Sequence, residues 1–183
     1  MSLTAKSIPS LLVLCKKGNA AAQLEVYNRY QRAMYNTALR IVKDTAEAED
    51  VMQESFITAF NKLETLQKPS TFGAWLKRIV VNNSITSYYK NKRFVAWDET
   101  NYMHVVDGAP GVDSGEKCDN PQVLRLLRCM EQLHPNYRTV LNLYYIEGYD
   151  YEELGSILNI TYGNCRTLLS RAKESLRSKM ETQ

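Results

Sequence analysis

The chain has 183 residues, and its 23 Lys and Arg side chains against 20 Asp and Glu give a formal net charge of +3. This length fits one medium domain or two small ones, and no apolar run approaches the roughly 18 residues of a membrane span. The short apolar run at residues 11–14 precedes Lys16 and Lys17, the reverse of the order in a secretory signal. We therefore expect a cytoplasmic protein without direct membrane insertion.

The residue types that most often bind metals do not cluster in this sequence. Neither histidine joins the widely spaced cysteines in a metal-ligand pattern; these residues are His104, His134, Cys15, Cys118, Cys129 and Cys165. We expect no metal site, no cofactor, and thiols that are reduced and structural. The chain also has no glycine-rich phosphate loop and no paired His, Asp and Ser arrangement, so we assign no catalytic residue and expect no enzyme.

Charge is distributed unevenly along the chain. Residues 1–93 carry a net charge of +7, residues 94–120 carry −5 and residues 121–183 carry +1. A basic block, an acidic connector and a near-neutral block indicate two small domains joined by a linker. The middle block contains three glycines and a proline and lacks a sustained apolar repeat, which predicts that the acidic linker is flexible.

Helical spacing of apolar residues predicts the first elements. A short helix over residues 10–17 is broken near Gly18, and a longer one covers about residues 20–42. The residues predicted to form the apolar side of the longer helix are Leu24, Tyr27, Met34, Ala38 and Ile41. A third helix over residues 44–63 is expected to pack on the second through its own apolar side.

The helix predicted over residues 44–63 has two contrasting sides. Asp44 is suited to cap its N-terminus, with Glu47 at capping-box spacing. The apolar side consists of Ala48, Val51, Met52, Phe56, Ala59, Phe60 and Leu63, and the acidic side of Glu47, Asp50 and Glu54, with Gln53 beside them. The acidic side is either a solvated face or a contact stripe for a protein partner. The basic, aromatic stretch that follows it favours the contact stripe.

A loop and a helix rich in cations and rings come next. Proline and glycine predict a loop over residues 64–73, and Ser70 or Thr71 then caps a helix over about residues 72–92. Its apolar side holds Phe72, Trp75, Leu76, Ile79 and Val80, and its other side Lys77, Arg78, Asn82, Asn83, Tyr88, Tyr89, Lys90, Lys92 and Arg93. Interleaved cations and rings are typical of surfaces that hold single-stranded nucleic acid. The alternative is that Trp75 and one tyrosine are core and the cations only solubilise the helix end.

Two helices are predicted between the linker and the C-terminal motif, which makes every predicted element helical and the fold class all-α. Asn120 caps the first of them and Pro121 occupies its first position, so it runs to about residue 133. Pro135 begins the second, which continues to about residue 146.

The chain ends in a predicted helix-turn-helix. Its first helix covers residues 149–158 and its second begins after a Thr161 cap. The inward side of the second helix consists of Cys165, Leu168, Leu169, Ala172 and Leu176, and the outward side of Asn164, Arg166, Thr167, Ser170, Arg171 and Lys173. A polar, basic second helix suits a DNA major groove, although the same geometry occurs in helical proteins that bind no DNA.

The order of these motifs resembles that of a bacterial sigma factor of the extracytoplasmic-function (ECF) type, the minimal two-domain group of the sigma-70 superfamily. The motifs are AEAEDVMQESF, FGAWLKRIVVN, the acidic linker, LHPNYRTVLNLYYIEGYDYEELGSILNIT and YGNCRTLLSRAKESL. The resemblance covers nearly the whole chain except residues 1–10 and the linker, and the sequence departs from the family pattern at Thr86, Tyr89, His134 and Leu168. It implies a protein that directs core RNA polymerase to specific promoters and helps open them for transcription initiation.

The resemblance also implies roles for individual positions. The residues that match the polymerase-binding helix are Glu47, Asp50, Gln53 and Glu54. Those that match minus-ten recognition and melting are Lys68, Ser70, Thr71, Phe72, Trp75, Arg78, Asn82, Lys90 and Arg93. Those that match minus-thirty-five recognition are Asn164, Arg166, Thr167, Ser170 and Arg171. An anti-sigma factor is a further expected partner.

Two other interpretations of the residues stay open. A free-standing helix-turn-helix transcriptional regulator accounts for residues 149–175. It does not account for the acidic side of the helix over residues 44–63 or for the cations and rings of the helix over residues 72–92. An all-helical interaction protein without a DNA role leaves Arg166 and Arg171 as ordinary surface. Co-purification with core polymerase separates the first of these from a sigma factor.

Overall fold

The computed structural model describes residues 3–91 and 120–182. Within these ranges the secondary structure consists of eight α-helices and shorter helical turns, with no strand, which confirms the predicted all-α class. The chain divides into two compact units, one within residues 1–93 and the other within 94–183. The acidic linker predicted over residues 94–120 lies outside the described residues except for Asn120.

Four helices form the first unit: α1 (Ile8–Lys16), α2 (Ala20–Val42), α3 (Thr45–Asn61) and α4 (Phe72–Asn91). Their ends follow local signals. The side chain of Asn19 accepts from the backbone N–H of Ala22, and that of Asp44 accepts from Glu47 at 2.8 Å, as predicted for the acidic helix. Lys43, at φ 63°, takes the left-handed conformation that ends α2.

Helices α2, α3 and α4 pack against one another around the core of the first unit. The apolar side predicted for α3 is buried apart from the half-buried Phe60. The prediction for Leu24 on α2 is wrong, because its side chain is 60% exposed. The buried row near the start of α2 runs through Ala22 and Val26, four residues apart, and Leu24 lies on the opposite side of the helix from Ala22.

The core-facing side of α4 extends further along the helix than predicted. Tyr88 is only 7% exposed and continues a row of buried residues through Val81 and Ile85. Its expected place on the exposed side is therefore wrong. Tyr89 is half-buried with its ring centroid 5.6 Å from that of Tyr88, and burial raises the pKa of its phenol.

The described part of the second unit contains four further helices: α5 (Pro121–Glu131), α6 (Pro135–Leu141), α7 (Tyr151–Leu158) and α8 (Tyr162–Thr182). The predicted caps at Asn120 and Thr161 are confirmed, since each side chain accepts from a backbone N–H in the first turn of its helix. The helix predicted to continue to residue 146 instead changes into a π-helical turn at Asn142–Ile146. Helix α7 starts later than predicted, at a capping box formed by Asp150 and Glu153.

Helices α7 and α8 form the predicted helix-turn-helix. The turn between them has Asn159 in the left-handed conformation at φ 54°, and the backbone N–H of Ile160 donates to the carbonyl of Gly155. A Cβ at Gly155 would meet the Ile160 carbonyl oxygen at 3.0 Å, so the chain turns back close to this residue. The predicted inward side of α8 is confirmed by the burial of Cys165, Leu168, Leu169 and Ala172, and its last predicted member, Leu176, is half-buried.

The cysteines in the described ranges are buried free thiols, which fits the structural part predicted for them. Cys15 lies in the first unit, and Cys129 and Cys165 lie in the second. Burial raises the pKa of the Cys15 and Cys165 thiols, which keeps them protonated and unreactive. None of the helices described here is both long and apolar enough to cross a membrane.

Candidate functional site

The acidic stripe on α3 consists of Asp50, Gln53 and Glu54, and all three side chains are exposed. Their spacing of three and four residues keeps them on one side of the helix, opposite the buried row. Ile57 follows three residues after Glu54 and is 63% exposed, so the stripe ends in an apolar side chain. An exposed set of acids beside an isolated aliphatic group suits contact with a basic protein surface.

Glu47 differs from the other acids of α3. It is half-buried, and its carboxylate accepts a hydrogen bond of 2.7 Å from the hydroxyl of Ser87 on α4. A second polar contact joins the same helices, because the side-chain amide of Asn83 donates to the hydroxyl of the fully buried Ser55 at 3.0 Å. The structure therefore places Glu47 between the acidic stripe and α4.

The loop before α4 is a short 3-10 turn with exposed side chains. Lys68, Ser70 and Thr71 are all exposed, as expected for residues that contact a partner. The Thr71 hydroxyl donates to the carbonyl of Lys68 at 2.9 Å, which closes the turn on itself. This loop presents a compact polar surface at the N-terminal end of α4.

Phe72 does not belong to that surface. Its side chain is 0% exposed, and its ring centroid lies 5.4 Å from that of Tyr30 and 6.0 Å from that of Trp75. Phe72 therefore cannot contact DNA in this structure; it anchors the loop in the core of the first unit. A Cβ at the next residue, Gly73, would lie 3.1 Å from the Tyr30 ring, so α2 and α4 approach closely here.

An exposed row runs along α4. Arg78, Asn82 and Lys90 are exposed, together with Thr86, at intervals of four residues. Trp75 is half-buried beside the row. Helix α4 contains no Asp or Glu, and its charged residues are Lys77 and Arg78 near its start and Lys90 near its end, so its net charge is positive. Arg93, the last cation expected to contact DNA, lies outside the described residues.

The predicted reading side of α8 is exposed throughout. The side chains on it are Asn164, Arg166, Thr167, Ser170 and Arg171. The hydroxyl of Thr167 donates to the carbonyl of Gly163 at 3.0 Å within the helix. This side of α8 can present guanidinium, amide and hydroxyl groups to a DNA groove, which are the groups that read base edges and hold phosphates.

A line of tyrosine rings that was not predicted from the sequence lies beside α8. Successive ring centroids are separated by 5.0 to 5.8 Å along the series Tyr145, Tyr144, Tyr151 and Tyr162. The ammonium of Lys173 lies 5.2 Å from the Tyr144 centroid and 5.5 Å from the Tyr145 centroid. Its hydrogen bond with Tyr145 is the main cause of the raised pKa of Lys173. The signal available in the sequence was the number of tyrosines between residues 144 and 162.

Metal-binding side chains do not converge in either unit as far as the chain is described. No group of three or more His, Cys, Asp or Glu side chains lies together where it could hold an ion. Burial, and to a smaller extent Arg138, lower the pKa of His134, whose ring accepts from the backbone N–H of Asn136 at the start of α6. His134 therefore serves as a neutral N-cap of α6.

Two family models match this chain. The model for sigma-70 region 2 matches residues 26–94, and that for sigma-70 region 4 matches residues 124–176. Among curated relatives, the ECF RNA polymerase sigma factor SigW of Bacillus subtilis is 31% identical over 174 residues, covering 90% of this chain and 92% of SigW. The ECF RNA polymerase sigma-E factor of Escherichia coli is 27% identical, covering 91% of this chain and 90% of its own length.

Solved structures match the fold. The sigma factor RpoE of Bartonella quintana, in complex with the anti-sigma factor NepR, superposes with a TM-score of 0.57 at 20% identity, covering 86% of this chain and 95% of RpoE. CnrH, in complex with the cytosolic domain of CnrY, gives a TM-score of 0.55 at 19% identity, covering 97% and 99%. At these identities the superpositions support the two-unit helical architecture.

Proposed function

This chain belongs to the ECF family of RNA polymerase sigma factors, and we propose that its two units divide the work of promoter recognition between them. As a sigma factor it directs core RNA polymerase to promoters for transcription initiation. The first unit docks on polymerase and opens the minus-ten region. The second unit reads the duplex of the minus-thirty-five element. The protein acts through binding energy in the cytoplasm and carries out no catalytic reaction.

The observation that carries this proposal is the opposite exposed charge of two neighbouring helices in the first unit. Asp50 and Glu54 are exposed on α3, whereas Arg78 and Lys90 are exposed on α4, which has no acids. An acidic surface attracts a basic protein partner, and a basic surface attracts nucleic acid. A unit that carries both surfaces side by side is suited to hold DNA against a protein complex.

Promoter opening is assigned to the exposed loop at residues 68–71 and to the outward row of α4. Cations alone hold duplex and single strand alike, because phosphates are present in both. Only groups that engage exposed bases shift the equilibrium towards the melted state. We assign the capture of exposed bases to the loop. The half-buried Trp75 lies one turn beyond it and offers a ring for stacking. Arg78, Asn82 and Lys90 then hold the backbone of the separated strand.

Duplex reading is assigned to α8. Arg166 and Arg171 can donate two hydrogen bonds to a guanine edge, and the smaller Asn164, Thr167 and Ser170 can contact bases or phosphates. The second helix of a helix-turn-helix enters the major groove by its N-terminal residues, which is where these side chains lie. Because the two DNA-binding units share one chain, each raises the effective concentration of the other at a promoter.

Transcription in vitro with purified core polymerase and a promoter library tests the proposal. We expect start sites that appear only when this protein is present, and a protein–polymerase complex that forms without DNA. Replacing Asp50 and Glu54 by lysine should weaken that complex while leaving the helical content unchanged. A protein that binds duplex promoters specifically but never associates with polymerase would instead be a free-standing regulator.

Sequestration by an anti-sigma factor is proposed as the means of control. The support is that two solved structures of the same fold are complexes, one of them the sigma factor RpoE bound to the anti-sigma factor NepR. Affinity purification of the tagged protein from cells should recover a partner that competes with core polymerase. A protein that is constitutively active in cells and yields no competing partner would argue for control by expression level.

A further inference from the structure

Four polar residues form a seam between α3 and α4. They make two cross-helix hydrogen bonds, from Ser87 to Glu47 at 2.7 Å and from Asn83 to Ser55 at 3.0 Å. The Ser55 hydroxyl in turn donates to the Val51 carbonyl of its own helix at 2.6 Å. Ser55 is fully buried and the other three seam residues are half-buried, so these bonds are shielded from water to different degrees.

The seam lies between the two surfaces that the proposed function assigns to different partners. Asn83 and Ser87 each follow directly after a residue of the exposed row of α4, Asn82 and Thr86. Such neighbours are offset by about 100° around a helix, so the seam borders the DNA-facing row. On α3 the seam residue Glu47 precedes the exposed Asp50 by three residues and borders the acidic stripe.

The geometry sets Glu47 apart from the acids that would meet polymerase. Its carboxylate is bonded to Ser87 within the protein, whereas Asp50 and Glu54 point to solvent. We infer that Glu47 is a positioning residue, which with Ser87 holds the DNA-facing row of α4 in register with the polymerase-docking helix α3. This inference rests on the proposed function, because it presupposes that α3 binds polymerase and α4 holds the opened strand.

The physical reason is that apolar contacts are non-directional, so they define the relative position of two helices less sharply than hydrogen bonds do. Side chains in a core adapt to small shifts, whereas a hydrogen bond loses strength within a few tenths of an ångström and beyond a narrow range of angles. A bond to a carboxylate is stronger than one between neutral groups. The Ser87–Glu47 bond ends on a carboxylate and the Asn83–Ser55 bond joins neutral groups. Because the two bonds lie at different heights along the helix pair, together they define both the shift and the rotation of one helix against the other.

A double-mutant cycle with Glu47→Ala and Ser87→Ala in the full-length protein tests this inference. Polymerase affinity and the rate of promoter opening are measured separately, with opening followed at saturating factor and at a temperature where circular dichroism shows every variant folded. Each single substitution should slow opening about tenfold, equivalent to ~1.4 kcal/mol. The double variant should be no slower than either single one, because both remove the same bond. Polymerase affinity should stay within about twofold of wild type.

Matched variants separate positioning from direct contact. Glu47→Gln keeps an oxygen that accepts from Ser87 and should retain most of the opening rate. Glu49→Ala removes an exposed acid two residues along α3, outside the stripe and the seam, and should open promoters like wild type. Asp50→Ala should weaken polymerase binding by the same factor whether or not Ser87 is replaced.

Three results would overturn the inference. Glu47→Ala could lower polymerase affinity equally with and without Ser87, which would make Glu47 a polymerase contact. The factors by which Glu47→Ala and Ser87→Ala slow opening could multiply in the double variant, which would mean that the two residues act independently. The pair could be coupled in thermal unfolding while opening is unchanged, which would make the bond structural only. A wild-type protein that neither binds polymerase nor opens any promoter refutes the proposed function itself, before any variant is compared.

Discussion

The two helices proposed to contact DNA, α4 and α8, have nearly the same length but are built into their units to different degrees. Helix α4 buries seven of its described side chains: Phe72, Leu76, Val80, Val81, Ser84, Ile85 and Tyr88. Helix α8 buries four: Cys165, Leu168, Leu169 and Ala172. Helix α4 is therefore held in place by extensive packing within its unit. Helix α8 is held by a narrow apolar stripe, which leaves its polar side exposed.

This difference fits the tasks proposed for the two helices. A melted strand is flexible and must be ordered when it binds, and a rigid surface keeps the total ordering cost low. A deeply packed helix with cross-helix hydrogen bonds provides such a surface. Duplex DNA is already ordered, and a helix that reads it must project far enough to enter a groove. Substitutions on α4 should therefore often act through the fold, and those on α8 should act at the contact itself.

Phe72→Ala should give the largest effect, and it acts through the fold. Removing a fully buried phenylalanine costs about 3–5 kcal/mol, because transfer free energy is lost and a cavity remains between α2 and α4. Denaturant unfolding should show the loss in the first unit. Ile57→Ala, at a 63% exposed position of the same unit, is the control and should leave stability nearly unchanged. An equal loss at both positions would contradict the burial found for Phe72.

Replacing residues 68–71 by a Gly/Ser stretch should act on opening alone. At ~1–3 kcal/mol for each captured base, we expect opening of a duplex promoter to slow by about five- to 150-fold. Binding to core polymerase should survive, and a template with a pre-melted bubble should recover much of the transcription. If this variant opens duplex promoters at the wild-type rate, the loop does not capture a base.

Arg166→Ala and Arg171→Ala should act locally on α8. A bidentate contact to a base is worth ~1–3 kcal/mol of discrimination, so each substitution that removes one should relax specificity at one position of the minus-thirty-five element. A guanidinium that touches only phosphate should weaken all sequences alike and lower the salt dependence. Electrophoretic shifts with single-base variants of the promoter separate these outcomes, with unchanged unfolding as the control. If promoter binding is unchanged in both variants, α8 is not the reading helix.

Lys173→Gln should give the smallest effect. Lys173 lies two turns beyond Arg166 on α8, about 10 Å along the axis, which is comparable to the width of the major groove. The rings of Tyr144 and Tyr145 hold its ammonium, and we expect it to meet a phosphate at the groove edge when α8 lies in the groove. We expect a uniform loss of affinity across promoter sequences and a salt slope reduced by about one. A loss confined to one base position would contradict a phosphate contact.

Much of the architecture could be predicted because local signals agree with one another in this sequence. Caps at Asp44, Asn120 and Thr161 mark the starts of three helices, and all three are confirmed. Apolar spacing predicted the buried sides of α3 and α8, since one side of each helix is clearly apolar and the other clearly polar. The exposure of the stripe on α3 and of the reading side of α8 follows from the same periodicity.

The sequence by itself thus determined most of the helices, three of their caps, the helix-turn-helix and the family to which the motifs belong. Only the tertiary structure decided that Tyr88 is core, that Leu24 is surface, and that Glu47 is bonded to Ser87. It also decided between the two places expected for Phe72, which lies in the core and not on the DNA-binding surface. Helix α4 has aromatic and polar residues on several sides, so spacing alone leaves open which row faces its neighbours. The contacts that decide it join residues 28 and 40 positions apart in the chain, and such contacts arise from packing and not from any local pattern.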